Sequence, residues 1–377
     1  MSLLRALAVR MINLILILFL VLIVIAAVLS GPASKILSAE VQLEASSIIQ
    51  SYLRTHPTAN MTQVNYLKQQ IITQLENAYG LNKPPIVRLF YILYNVLSFN
   101  WGYSYFPNEY GVPSGRVTSI IMSALPGTVI LDTLGILLSA LIGIEIGLRA
   151  ALRYGSALER VVTYYGAIDN GIPQWWIGIL MILAFAVGLR LIHSPIAFPY
   201  GGIVSPQYFN TWLHDPIRVI VTPQMLSDLL YHLTLPMATV LIANVGLWAY
   251  FARTIVLNII REDYVYFARV KGLPSNMITS KYVMRPALPQ ILTSIFITIP
   301  FVLFGGFLIT EIVFQWWGLG YVLNIAIVGV PSPDTPVILA VTYMETLLYI
   351  VLVFILEILY YVLDPRIRES AMAQYGG

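Results

Sequence analysis

Arg261-Glu262-Asp263-Tyr264-Val265-Tyr266-Phe267-Ala268-Arg269-Val270-Lys271-Gly272 is a charged interruption between two strongly apolar stretches, patterned as a short docking helix. Glu262 and Asp263 stand where the partial positive charge of a helix N-terminus favours anions, and Arg269 and Lys271 near the end that favours cations. Gly272 suits the left-handed conformation that closes a helix, and Pro274 stops any continuation. A second short helix is expected from Ser275. The chain then returns to apolar sequence after Tyr282-Val283-Met284-Arg285-Pro286-Ala287-Leu288-Pro289. Taken alone, such a loop is equally an ordinary solvated connection with charges at sensible helix ends.

The flanking sequence places the loop beside a membrane. Of 377 residues, 58% are hydrophobic and 10% charged, against about 25% charged in soluble domains. Crossing a bilayer core takes about 20 apolar residues per helix. Six stretches qualify, near 8–30, 126–148, 162–190, 233–257, 287–314 and 336–362, which makes this an all-α polytopic membrane protein. Pro173, Pro300, Gly305 and Gly306 interrupt spans where neighbouring helices or a wet cavity must satisfy the freed backbone. The chain has no cysteine, which excludes disulfides and thiolate metal sites, and its formal charge of +3 is too small to suggest nucleic acid.

Basic residues orient the spans. Arg5, Arg10, Arg149, Arg153, Arg160, Arg253, Arg261, Arg269, Lys271, Lys281, Arg285, Arg366 and Arg368 fall on one side. The opposite loops, 191–231 and 315–335, hold Arg218 alone. By the positive-inside rule both termini are expected in the cytoplasm of a cell-membrane protein. The first stretch has a cleaved signal peptide as its alternative, but the apolar run from Met11 to Leu29 exceeds the roughly 7–15 residues of a signal core. A retained anchor over 1–30 is the preferred reading.

Residues 31–117 then form an extracellular insertion. Val41, Ala45, Ile48, Ile49 and Tyr52 recur at helical spacing before His56-Pro57, and a second helical pattern runs from Thr62 to Gly80. Pro85 to Phe99 is an apolar run of intermediate length, read as interfacial or re-entrant. Asn60-Met61-Thr62 is a glycosylation sequon on this outer side, usable only in an organism that glycosylates.

A series of motifs in order carries a resemblance. Asp263-Tyr264-Val265, Ala268-Arg269-Val270-Lys271-Gly272 and Arg285 are preceded by Leu125-Pro126-Gly127-Thr128 and Gly171-Ile172-Pro173-Gln174-Trp175-Trp176. They are followed by Glu311-Ile312-Val313-Phe314, Gly318-Leu319-Gly320, Glu357-Ile358-Leu359-Tyr360 and Asp364-Pro365-Arg366. From about residue 86 onward the chain resembles the permeases of the oligopeptide and dipeptide family of ABC importers. The resemblance implies a type I importer permease fold whose core, 118–377, carries a cytoplasmic coupling loop at 258–286. It implies two ABC ATPase subunits, a second homologous permease and an extracellular substrate-binding protein as partners. ATP and Mg would be bound by the ATPases and no cofactor by this chain. Asp263, Tyr264, Phe267, Ala268, Arg269, Lys271 and Gly272 would couple to an ATPase, with Ala268 and Gly272 permitting close backbone approach.

The match departs at Val270, Tyr282, Pro286 and the early Pro289, which concerns the geometry after the docking helix. Tyr266 stands where the broader importer signature has Glu, and is given no ion-pair role. In the segment Asn100-Trp101-Gly102-Tyr103-Ser104 only Gly102 and Ser104 match cleanly.

Acids inside the predicted spans are the remaining candidates: Asp132, Glu145, Asp169, Glu311, Glu345 and Glu357. Each costs about 2.5–3.5 kcal/mol at a span centre and is expected to face protein or water. Asp169, Asn170, Gln174 and Trp175 are candidates to line a translocation path, with a structural hydrogen-bonded role for Asp169 as the alternative. Glu311, with Gly318 and Gly320, is read as a helix-end or gate element. Asp132, Glu145 and Glu345 are expected to have interhelical partners. Trp175, Trp176, Trp316 and Trp317 fit an interfacial belt better than a cargo stack. His56, His193, His214 and His232 have no metal-site spacing.

No phosphate-loop, Gly-x-Ser-x-Gly or His-Glu-x-x-His motif is present, so no enzyme is read here and ATP hydrolysis falls to other subunits. Cargo is read as di- or oligopeptides, with oligosaccharides as the alternative. An ion-coupled secondary carrier would not need the 261–285 loop.

Overall fold

The computed structural model describes residues 3–56, 60–78, 84–112, 114–169, 171–291, 293–294 and 307–363. The described chain is helical with one isolated antiparallel bridge, Tyr103 to Arg116, confirming an all-α fold. Four helices among the described residues are long and apolar enough to cross a membrane: Val117–Leu152, Gln174–Leu191, Pro223–Ile260 and Thr335–Ile355. In chain order the elements are α1 (Leu3–Thr55), α2 (Met61–Ala78), α3 (Pro85–Leu97), α4 (Val117–Leu152), α5 (Ala157–Asp169), α6 (Gln174–Leu191), α7 (Pro206–His214) and α8 (Pro216–Val221). Then come α9 (Pro223–Ile260), α10 (Asp263–Val270), α11 (275–291), α12 (Phe307–Val313), α13 (Leu319–Gly329) and α14 (Thr335–Leu363).

Two expected boundaries change. The helix beginning in the first apolar stretch does not stop near residue 30: α1 continues through Gly31 and Pro32 as one helix of 53 residues to Thr55. The stretch 162–190 is not one helix. It is broken into α5 and α6, because Pro173 has an extended ψ of 133° as the N-cap of α6 and cannot donate a helical hydrogen bond. The middle of the fifth predicted span, residues 295–306 with Pro300, Gly305 and Gly306, lies outside the described residues.

The chain divides into two compact units. The first contains residues 119–322 and is organised by α4 packed along α9. Gly135, Ser139, Gly143 and Gly147, all buried, form a seam of small residues every fourth position on α4. A Cβ at Gly143 would stand 2.5 Å from Trp248 Cβ and 2.7 Å from the Val245 carbonyl. Backbones approach this closely only where side chains are small, which in a membrane replaces the missing hydrophobic drive with van der Waals packing. A π-helical turn, Val129–Thr133, follows Pro126 within α4.

The second unit contains residues 15–118 and 323–343. Val41 and Ala45 of α1 pack on Ile72 of α2. The loop after α3 is fastened by hydrogen bonds from the Trp101 indole to the Val96 carbonyl at 2.9 Å and from the Val117 amide to the Gly102 carbonyl at 3.1 Å. Asp334, fully buried, accepts from Ser104 Oγ at 2.5 Å and Tyr110 Oη at 3.1 Å. Burial pushes the Asp334 carboxyl above the usual range, opposed by these donors, and burial together with Asp334 pushes the Tyr110 phenol up.

Candidate coupling helix and polar centre of the spans

Helix α10 is seated on the C-terminal end of α9 by two side chains. Val265 and Ala268, three residues apart and therefore on one face, are 0% and 2% exposed. They belong to a cluster with Ala252, Val256 and Ile259 of α9, Ala151 of α4, and Ile278, Val283, Ala287 and Ile291 of α11. The opposite face carries Asp263, Tyr264, Tyr266, Phe267, Arg269 and Lys271, all exposed. This corrects one expectation: the Ala268 side chain is turned into its own chain, and its small size serves the seat of the helix. Gly272 has φ +71°, and a Cβ there would meet nothing within 4 Å. The amides of Lys271, Gly272 and Leu273 return to the carbonyls of Phe267, Arg269 and Ala268, closing the helix as the glycine position predicts. The order Glu262–Asp263 first and Arg269 last also matches the dipole argument.

A buried ion pair stands behind this seat. Arg253 of α9 donates from Nε to Glu159 Oε1 of α5 at 2.8 Å, with side chains 14% and 9% exposed. The Arg253 hydrogen bond holds the Glu159 carboxyl below the usual range, with Thr163 also donating. Neither residue was singled out as a partner from sequence, since nothing local relates positions 94 residues apart.

Toward the centre of the spans, Gln174 joins three helices. Asn244 Nδ2 on α9 donates to Gln174 Oε1 at 2.9 Å, and Gln174 Nε2 donates to Thr310 Oγ1 on α12 at 2.8 Å. Both ends of the Gln174 amide are therefore engaged at the broken third span. Trp175 beside it is 37% exposed. The Asp169 side chain and Asn170 lie outside the described residues, as do the side chain of Glu357 and the segment 364–377.

Glu311, adjacent to Thr310, is fully buried. Its Oε1 accepts from Thr128 Oγ1 at 2.8 Å and its Oε2 from the Tyr321 amide at 3.0 Å. The Leu319 amide donates to Thr128 Oγ1 at 2.7 Å. Gly318 and Gly320 both stand against this carboxylate: a Cβ on Gly318 would overlap it, and one on Gly320 would lie 3.0 Å from Oε2. The structure thus brings Glu311, Gly318 and Gly320 together, with Thr128 as the member that sequence reasoning missed. Its position in Leu125-Pro126-Gly127-Thr128 was the available signal.

Two other expectations are corrected. Glu145 pairs with Arg149 on its own helix, four residues away at 2.7 Å, with both side chains more than half exposed, so its partner is not interhelical. Trp316 and Trp317 do not form a belt. They are 0% and 4% exposed and donate their indole N–H groups to the Gly127 carbonyl and Ser123 Oγ at 2.9 and 3.0 Å. Buried indoles need such acceptors. Asp132, expected to have an interhelical partner, has a buried Oδ1 with none among the described residues.

Residues 143–369 match the family described as the binding-protein-dependent transport system inner membrane component. The chain belongs to this family. As a permease of this family it is a subunit of a binding-protein-dependent ABC importer with the all-α polytopic membrane fold of type I permeases. The matched span contains α10, its seat on α9 and α11, and Glu311 with its glycines. The permease is 30% identical over 295 residues to the oligopeptide transport system permease protein AppB of Bacillus subtilis (strain 168), covering 78% of this chain and 84% of that one. It is 29% identical to the inner membrane ABC transporter permease protein YejB of Escherichia coli O157:H7, over 82% and 80% of the two chains. The dipeptide transport system permease protein DppB of B. subtilis (strain 168) is 24% identical over 84% and 90%. The first of these alignments covers more than two thirds of both chains, so the resemblance of individual motifs is one of overall organisation. Such importers work with ATPase and substrate-binding components.

Proposed function

We propose that this permease moves di- and oligopeptides, delivered at the outer face by a substrate-binding protein, through an alternating-access cycle. It works beside a second homologous permease and two ATPases that bind ATP and Mg, binding no cofactor and carrying no catalytic site itself. The observation that carries this reading is α10: a short helix whose inner face is locked to α9 and α11 while Asp263, Tyr264, Phe267, Arg269 and Lys271 remain exposed beside an open, left-handed Gly272. An arrangement that is rigid within and open without suits the transmission of ATPase motion into α9, a single helix of 38 residues. The names of the relatives, an oligopeptide and a dipeptide permease, favour peptide over oligosaccharide cargo.

In this reading both termini are cytoplasmic in the cell membrane, 1–30 anchors the chain, 31–117 is extracellular and 118–377 is the permease core with its coupling loop at 258–286. Gln174, Trp175 and the Asp169–Asn170 step line the path, and Glu311 with Gly318 and Gly320 shapes its outer end. The test is purification from native membrane followed by uptake of labelled di- and oligopeptides into vesicles holding the purified complex. Co-purification of a Walker-motif ATPase and a second six-span permease, with ATP-dependent peptide uptake, is the expected result. Uptake of oligosaccharides alone would replace the cargo. A chain that purifies alone and moves solute on an ion gradient would overturn the importer reading for this assembly.

A further inference from the structure

Helices α2 and α3 turn different chemistry outward. The exposed face of α2 is mostly amide and hydroxyl, with Gln63, Asn65, Gln69, Gln70, Thr73 and Gln74. That of α3 is apolar and aromatic. Val87, Phe90 and Tyr94 are 48%, 67% and 69% exposed, and Tyr91 beside them is exposed as well. At about 100° per residue these four positions fall within an arc of about 100°. Leu93 and Val96, on the opposite side, are buried. Helix α3 is therefore apolar on both faces, and its own chain covers one of them.

The end of α3 is tied to a span. The Ser98 and Asn100 amides donate to the carbonyls of Tyr94 and Asn95 at 3.0 and 2.9 Å, and the Trp101 indole to that of Val96. This turn brings Phe99 and Trp101 against Tyr343 of α14, with ring centroids 5.4 and 6.1 Å apart. The apolar stretch Thr335–Ile355 of α14 has 21 residues, about the length of one bilayer core. Tyr343 stands eight residues beyond Thr335, which is about 12 Å along the helix axis. The interfacial layer on each side of a bilayer is only about 5–8 Å deep, so the contact with Tyr343 puts the end of α3 at membrane depth. Helix α3 is too short to cross: its 13 residues rise about 20 Å, against a core of about 30 Å. Tyrosine, with an apolar ring and a polar tip, suits the boundary between acyl chains and headgroups.

We propose that α3 lies flat in the membrane surface, with Val87, Phe90 and Tyr94 in contact with phospholipid and Leu93 and Val96 turned to the chain, as a lipid anchor attached to α14. Of the interfacial and re-entrant placements open to this run, the one-sided exposure selects the first. This placement needs only the membrane spans, and is independent of cargo and of which side of the membrane is outside.

Spin labelling of the purified importer complex in lipid nanodiscs, without cargo or ATP, tests the placement. The chain has no cysteine, and the unsubstituted complex treated with the same label gives the background from its partners. Val87→Cys, Phe90→Cys and Tyr94→Cys each receive a nitroxide, with Gln74→Cys on α2 as the aqueous reference. Oxygen concentrates in a bilayer and a hydrophilic nickel chelate is excluded from it, so relaxation by the two reads depth. The α3 labels are expected to be relaxed more by oxygen than by nickel, at similar depths, and the Gln74 label to show the reverse. All four side chains are exposed, so no buried contact is lost, and each α3 site carries the test by itself. Labels on α3 that show the Gln74 pattern would overturn the proposal by placing the face in water. So would labels that are immobilised and reached by neither reagent, which would mean that a protein partner covers the face. Depths that change steadily from 87 to 94 would make α3 re-entrant and overturn it too. Peptide uptake plays no part in the readout, so failure of the cargo reading would leave each of these outcomes distinguishable.

Discussion

Arg253 on α9 and Glu159 on α5 form an ion pair in which Nε donates to Oε1 at 2.8 Å, largely out of solvent and one residue along α9 from Ala252 in the cluster that seats α10. Removing one partner leaves the other buried without its counter-charge. Glu159→Ala and Arg253→Ala should each destabilise the permease by about 1–3 kcal/mol, and the exchanged pair Glu159→Arg with Arg253→Glu should recover part of that loss, measured by thermal unfolding in detergent. The sign of the pH dependence follows from the direction of the shift. The folded Glu159 carboxyl lies below its ordinary value of 4.5, so the pair's contribution is complete above that value and is lost as pH falls below it.

Gly272 separates backbone strain from docking. Its φ of +71° is tolerated by asparagine better than by other non-glycine residues, and its missing Cβ points into open space within this chain. Gly272→Asn is expected to retain uptake. Gly272→Trp should reach the membrane yet lose uptake, because bulk forced into a close-packed contact costs about 1–3 kcal/mol, a weakening of roughly 5-fold to 150-fold. Equal uptake by the tryptophan variant and the parent would remove Gly272 from the docking surface.

At Gly318 the constraint is steric. A methyl group would overlap the Glu311 carboxylate, so Gly318→Ala should lower stability by about 1–3 kcal/mol. Combining it with Glu311→Ala should cost less than the sum of the two single changes, since the second change removes the group the first collides with. Additive losses would show that the two positions do not share this space.

Asp334 organises its own unit by a different rule. Asp334→Ala leaves the Ser104 and Tyr110 hydroxyls without their acceptor, at a cost of about 1–3 kcal/mol for each buried group left unpaired. Hydrogen exchange should accelerate over residues 101–117 in this variant and much less in Asp334→Asn. Here the folded carboxyl lies above its ordinary value of 3.8 because of burial. Its contribution is therefore largest in acid and declines as pH rises past that value, opposite in sense to Glu159.

Helix α10 was legible because its signals are local: acids at one end, bases and a glycine at the other, all within twelve residues. The left-handed Gly272 agrees with that reading. The facing of Ala268 was not legible, since which side of an eight-residue helix is buried depends on α9 and α11 arriving beneath it. Trp316 and Trp317 show the same limit. Their position near a span end is what an interfacial belt would show, and only the folded chain brings Gly127 and Ser123 within reach of their indoles.

Composition, span-length hydropathy, basic-residue asymmetry and ordered motifs determined by themselves that this is an all-helical membrane protein of the importer-permease kind, because each is read from residue identity and position along the chain and needs no contact between distant residues. Tertiary structure alone decided the contact of the α4 glycine seam with α9 and the meeting of Thr128, Glu311, Gly318 and Gly320. It also decided the pairing of Glu159 with Arg253. These are relations among residues tens to hundreds of positions apart, fixed by how closely backbones approach and by which buried polar groups find partners, and neither property is written in any single stretch of sequence.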